Sequence, residues 1–161
     1  MNNLEKVCRI CELGDFEQEP KIVTGGLLHK MYCVETNQGK YAIKVLNSNV
    51  MNKPDALEKL EQAERIAYRL KNENDISAIC VKSVAGKMIF EVDHAYYEIF
   101  EWFDGKSVFY PDITAAHCAK VGEQLGKIHA SNICVEGLYP EIHAAVPVRY
   151  YCRPAHGYVH S

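Results

Sequence analysis

The sequence lacks several features that would assign it to a class at once. It has no apolar run of the roughly 20 residues that a membrane-spanning helix needs, so we expect no membrane span. Excess positive charge is also absent, since the formal net charge is −3, which argues against nucleic acid or a membrane surface as the partner. The seven cysteines are odd in number and lack framework spacing, and the first residues lack the shape of a signal peptide. We therefore expect a protein of the reducing cytoplasm.

Two common phosphate-binding motifs are missing as well. Gly25-Gly26 lies between two predicted strands rather than before a helix, which excludes a Rossmann turn, and no G-K-[ST] is present for a Walker loop. Glycines at a strand-to-strand tip let backbone amides approach a ligand, but the same pair also suits an ordinary hairpin turn. Both interpretations stay open from these residues alone.

The cysteines and histidines do not form a convincing metal or redox motif. Cys8 and Cys11 make a C-x-x-C without a second ligand pair, and a helix over residues 3–13 places both on one apolar face. We therefore predict that they pack in the core. Cys152, His156 and His160 are evenly spaced, but their segment has no helical period that would align them, so we expect no metal site there.

Hydrophobic periodicity predicts an α+β fold. Helical spacing is found over residues 3–13, 54–71 and 112–131, and strand patterns occur over residues 21–24, 27–35, 40–47, 78–84, 88–92 and 96–103. We interpret these as an antiparallel sheet of about five strands with a helix inserted after the third strand, followed by another helix. Residues 133–161 contain three prolines and show no period, which predicts an irregular C-terminal segment.

Lys44 stands out within the strand predicted over residues 40–47. Side chains alternate along a strand, so Ala42 and Lys44 share one face while Ile43 and Val45 occupy the other. An ammonium group in an apolar strand is costly to bury unless an anion neutralises it. Three glutamates recur at every third position of the inserted helix: Glu58, Glu61 and Glu64. We expect one of these three to turn towards Lys44.

The order of these motifs resembles the N-terminal lobe of the kinase fold, with the closest likeness to the aminoglycoside phosphotransferase and choline kinase group. Tyr41-Ala42-Ile43-Lys44 resembles the V-A-I-K signature. Gly25-Gly26 and the following strand resemble that group's shortened phosphate-covering loop, and no full G-x-G-x-x-G is present. The sequence GEQLGKIH over residues 122–129 resembles the helix after the hinge. The likeness covers roughly residues 5–132.

This resemblance implies a site for ATP and Mg²⁺. Lys44 would neutralise the α- and β-phosphates, and Gly25 and Gly26 would lie over them. The ion-pair partner of Lys44 would be Glu64, with Glu61 as the second choice.

The resemblance also implies where the adenine would lie. Ala42 is small and would leave room for the ring beneath the sheet. Residues 100–103 would form the hinge, in which backbone groups of Glu101 and Phe103 bind the adenine edge. Trp102 and Phe103 would add apolar walls.

The chemistry of this group requires a second lobe with an H-G-D…N loop and an aspartate for magnesium. His156-Gly157 is followed by Tyr158 where that aspartate should stand, and the sequence has no aspartate after Asp112. We therefore expect no catalytic residue in this chain. The predicted organisation is a kinase-like lobe over residues 1–105, a linker and post-hinge helix over 106–132, and the irregular tail.

Two functions follow from this organisation. The first is the ATP-binding lobe of a small-molecule phosphotransferase, which is catalytically incomplete in this chain. Its expected partner is a chain that carries the catalytic lobe, or a second copy of the same chain in a homodimer. The alternative is a non-enzymatic remnant or interaction module that keeps the fold.

Overall fold

The computed structural model describes residues 2–24, 26–131 and 133. In these residues, five strands form one antiparallel sheet with the order β1-β2-β3-β5-β4. The predicted α+β fold, with a helix inserted after the third strand, is confirmed. In chain order the elements are α1 (Asn3–Ile10), β1 (Lys21–Val23), β2 (Lys30–Thr36), β3 (Gly39–Val45), α2 (Ser48–Met51), α3 (Ala56–Asn74), β4 (Ile89–Val92), β5 (Ala95–Glu101) and α4 (Ala115–Ala130).

Helix α1 covers one face of the sheet. It begins with a capping box, in which the Asn2 side chain accepts from the Leu4 N–H and the Glu5 carboxylate accepts from the Asn2 N–H. Cys8 and Cys11 are both 1% exposed and belong to the hydrophobic core, as their spacing predicted. Burial raises the pKa of the Cys8 thiol from 9.0 to about 12 and that of Cys11 to about 11. Both thiols are therefore protonated packing groups at neutral pH.

The two faces of the sheet differ in chemistry. Ile43 and Ile99 are opposite each other on β3 and β5, are fully buried and pack with α1 in the core. Alternation places Ala42, Lys44 and Glu98 on the other face, which we call the lysine face. The register of β3 and β5 thus decides which groups meet Lys44.

One predicted strand, over residues 78–84, does not form. The Lys82 N–H donates to the Ile99 carbonyl at 2.6 Å, and Val84 makes a single bridge to Lys87. The reason is that β4 already pairs with β5 from Ala95 to Glu98. Only the last three residues of β5 are left unpaired on the side that faces β4. The segment therefore runs beside β5 without a ladder of its own.

The predicted helix ends are also shifted. Glu12 takes a positive φ of 52°, and α1 ends at Ile10 instead of residue 13. Asp55 occupies the N-cap of α3 with φ 61° and makes no side-chain cap bond, so the helix begins after Pro54 rather than at it. Thr114 caps α4 and delays its start from the predicted residue 112. No helix was predicted at α2.

Two predictions lie outside the described residues. The irregular segment over residues 133–161 is described only at Ile133, and the spacing of Cys152, His156 and His160 is not tested. Within the described part of the chain, none of the helices combines the length and apolarity needed to cross a membrane.

Candidate functional site

The lysine face carries a buried ion pair. Lys44 and Glu98 are direct cross-strand partners on β3 and β5, and Lys44 Nζ lies 2.8 Å from Glu98 Oε2. The Glu98 side chain is 0% exposed and that of Lys44 is 22% exposed. Side chains opposite each other on one face of antiparallel strands are only about 5 Å apart at Cβ, so this contact needs no rearrangement of the backbone. Glu98 is therefore the anion that a lysine in this strand requires.

The predicted direct pairing of Lys44 with a helix glutamate is replaced by this cross-strand contact. Glu64 is half-buried nearby. Its pKa is raised by burial and by the charge of Glu98, against the lowering effects of Lys44 and a hydrogen bond from the Val81 backbone. Glu61 lies elsewhere, 3.7 Å from Arg65. The register of β3 and β5 places the Glu98 carboxylate beside Lys44, so the pairing does not require a carboxylate from α3.

Glu98 has a further unusual feature. Within the described residues its Oε1 is buried and has no hydrogen-bond partner. A buried carboxylate oxygen without a donor is destabilising. The neutralisation of Glu98 in this part of the chain therefore rests mainly on Lys44.

A cavity of about 460 Å³ opens beside Lys44. Its lining joins the end of β1, the connection to β2 and the lysine face, and consists of Val23, Thr24, Gly26, Leu27, Leu28, His29, Met31 and Lys44. At Gly26, an added Cβ would lie 3.1 Å from the His29 carbonyl, so a side chain there would press on the loop backbone. Gly25, the other predicted loop glycine, lies outside the described residues. The volume is in the range of small-molecule sites.

His29 is a lining residue that the sequence analysis missed. Its Nδ1 accepts from the Asn47 N–H at 3.0 Å, and the Asn47 side-chain amide donates to the Leu28 carbonyl at 3.0 Å. Burial and the Lys44 charge lower the pKa of His29, while Glu98 acts in the opposite direction. No sequence pattern links a loop histidine to a residue 18 positions later, so this contact depends on the fold.

The predicted hinge residues lie at a different cavity. Trp102 donates its backbone N–H to the Lys40 carbonyl at 3.0 Å and its indole N–H to Asp104 at 2.8 Å, and Phe103 is 74% exposed. Together with Glu101 they line a space of about 600 Å³ beside α3 and residues 77–82. This lining shares no residue with the Lys44 cavity. Ala42 pairs with Cys33 of β2 and with Phe100 of β5. On the lysine face it lies between Lys44 and the predicted hinge residues.

The described residues do not form a ligand set for the expected Mg²⁺. Among the described residues, no group of three or more His, Cys, Asp or Glu side chains is arranged to hold a metal ion. The carboxylates that the resemblance implies for magnesium are thus not assembled in this part of the chain.

No protein-family model matches the chain, and no curated protein matches it. Among solved structures, the chain is similar to the spectinomycin phosphotransferase APH(9)-Ia, solved in complex with ADP and spectinomycin. The TM-score is 0.59 and the identity 15%, over 81% of this chain. The chain spans only 38% of that phosphotransferase. This likeness, with the observed sheet and helices, confirms the predicted fold: an α+β fold like the N-terminal lobe of a kinase.

Proposed function

We propose that this chain is the nucleotide-binding lobe of a kinase-like, small-molecule phosphotransferase of the aminoglycoside or choline type. In this proposal Lys44, held by Glu98, binds the phosphates of ATP or ADP. The observation that carries the proposal is the Lys44–Glu98 ion pair at the wall of the loop cavity. The similarity in fold to a phosphotransferase solved with ADP supports it.

The chemistry of Lys44 suits this role. An ammonium group has three donors, and within the described residues Lys44 uses one, towards Glu98 Oε2. The remaining donors are available to phosphate oxygens in the cavity that Lys44 lines. Because the carboxylate is fully buried and lies on the neighbouring strand, the position of the ammonium is set by the sheet itself. The phosphate site is thus organised before a ligand arrives.

We also propose that this chain does not transfer phosphate by itself. The described residues assemble no carboxylate cluster, and no aspartate follows Asp112 in the sequence. The phosphate acceptor site and the catalytic aspartate would then belong to the part of a phosphotransferase that this chain does not span. Lys44 and its surroundings would supply the nucleotide, and that further part the acceptor.

Titration calorimetry tests the nucleotide site. We expect wild-type protein to bind ADP, and the double variant Lys44→Met/Glu98→Leu to bind it about tenfold to a hundredfold more weakly, because a charge-assisted contact to phosphate is lost. Removing both charges avoids a stranded buried glutamate. Adenosine, which has no phosphate, should bind both proteins equally.

The control is Lys59→Ala, which removes an exposed lysine on α3. It should leave ADP affinity unchanged. Wild-type protein that binds no ADP at millimolar concentration would contradict the proposal.

A second candidate function, an interaction module, is favoured by α4. This helix is exposed along nearly its whole length, and its apolar residues Val121, Leu125 and Ile128 are 60%, 50% and 37% exposed. Polar contacts join α4 to the residues just after α3: Gln124 accepts from the Ser77 N–H, and Lys127 donates to the Asp75 carbonyl and lies 3.7 Å from its carboxylate. Apolar surface of this kind is typical of a face that binds another protein.

For this reason we expect the protein to self-associate through α4. Light scattering of wild-type protein should give a mass that rises with concentration to that of a dimer, and Leu125→Glu should shift it to the monomer. Lys120→Glu, at an exposed polar position of the same helix, is the matched control. A monomer of 18.2 kDa at the highest concentrations would count against the interaction surface.

A further inference from the structure

The orientation of His29 is fixed by one hydrogen bond. A ring nitrogen that accepts a hydrogen bond carries no proton, so acceptance by Nδ1 from the Asn47 N–H places the proton of the neutral ring on Nε2. The tautomer is thus assigned from the Asn47 contact. Among the hydrogen bonds of the described chain, Nε2 takes part in none. The ring therefore has one donor left to offer.

Asn47 holds the loop as well as the ring. Its side-chain amide donates to the Leu28 carbonyl, and its side-chain oxygen accepts from the Asn49 N–H at 2.8 Å. The N-cap residue of α2 thus ties down two consecutive loop residues. A side chain fixed in this way loses little conformational entropy when a ligand binds.

The ring and Lys44 belong to one cavity. Both residues line it, and the ring is close enough to the ammonium for the Lys44 charge to act on its protonation. A cationic donor and a neutral N–H donor on residues that line one open cavity suit an anion with several oxygens, such as a di- or triphosphate.

We propose that His29 is a second phosphate-binding side chain of this cavity, which donates its Nε2–H to a nucleotide phosphate that Lys44 also contacts. The inference rests on the proposed function, since it names a further contact of the same site. It gives the loop a side-chain donor for phosphate, His29, in addition to the backbone amides that Gly25 and Gly26 would offer. His29 acts in binding and moves no proton.

Two substitutions separate the two ring nitrogens. His29→Asn places an amide oxygen near the position of Nδ1, where it can still accept from Asn47, but has no atom at the position of Nε2. His29→Gln reaches the position of Nε2 with an amide donor. We expect His29→Asn to bind ADP about tenfold more weakly than wild type, the loss typical of a hydrogen bond to a charged group, and His29→Gln to recover much of that affinity.

Calorimetry with ADP and with adenosine decides the outcome. Unchanged adenosine binding beside weakened ADP binding in His29→Asn supports the inference. Unchanged ADP binding in His29→Asn, with wild type binding ADP, overturns the inference but leaves the proposed function standing. An equal loss for both ligands overturns it too, because the residue would then be structural. Wild-type protein that binds no ADP overturns both.

Discussion

Lys44→Ala should destabilise the fold by about 3–5 kcal/mol, the cost typical of removing one partner of a buried ion pair. The variant leaves the Glu98 carboxylate fully buried, and its Oε1 already has no donor within the described residues. Many domains have a total stability of only about 5–15 kcal/mol, so much of this one would be lost. Urea unfolding followed by circular dichroism measures the difference.

A double variant shows whether the stranded charge is the cause. Lys44→Met/Glu98→Leu replaces the pair by apolar groups of similar volume, which is often neutral or stabilising in buried pairs. We therefore expect the double variant to unfold near the wild-type midpoint. Lys59→Ala should stay within about 0.5 kcal/mol of wild type. A Lys44→Ala variant as stable as wild type would show that Glu98 finds another partner.

This expectation affects how the nucleotide site is studied. A lysine-to-alanine change is the usual way to remove a phosphate contact, but here it would also damage the sheet. Lost ADP binding by Lys44→Ala would then report unfolding as much as a missing contact. The double variant separates the two effects because it removes the proposed phosphate contact while both strands keep packed side chains.

The lysine face was predictable from the sequence, but the partner of Lys44 was not. Alternation in β3 places Lys44 opposite the core face in any register. The identity of the facing residue depends on how β5 aligns after more than 40 intervening residues that include α3, and short-range patterns do not determine this alignment. A signal was present nonetheless: Glu98 is a single acid inside the run Tyr96-Tyr97-Glu98-Ile99, and Lys44 is a single base inside the run Tyr41-Ala42-Ile43-Lys44-Val45. Two opposite charges in two apolar strands of one sheet are natural partners.

Other parts of the site depend on contacts that no local pattern encodes. The bond from Asn47 to His29 joins the end of one strand to a loop before another. The segment over residues 78–84 has the composition of a strand, yet the neighbouring edge of β5 is occupied by β4. The predicted hinge residues Trp102 and Phe103 line a cavity that shares no residue with the Lys44 cavity, and their role at an adenine stays a prediction. For the segment over residues 78–84, competition for the edge of β5, rather than intrinsic propensity, decided the outcome.

The second large effect is a loss of stability at alkaline pH, caused by the buried thiols of Cys8 in α1 and of Cys11 at its C-cap. In the folded protein the pKa of Cys8 is about 12 and that of Cys11 about 11, both above the ordinary value of 9.0. A raised pKa means that the folded state holds its proton more tightly than the unfolded chain. The resulting stabilisation is fully present below pH 9 and is lost as the pH rises towards the folded-state values.

The expected loss is on the order of 2 kcal/mol per thiol between pH 8 and pH 11, since each pH unit corresponds to about 1.4 kcal/mol per proton. Urea midpoints measured across this range should therefore fall steeply. The control is Cys8→Ala/Cys11→Ala, which starts from a lower stability because it leaves a small cavity, but which should show a clearly flatter pH dependence. Parallel curves for the two proteins would mean that other groups cause the alkaline unfolding. A flatter curve for the double variant would show that the two protonated thiols stabilise the fold. Both pack against the sheet that positions Lys44, although they lie outside the candidate site.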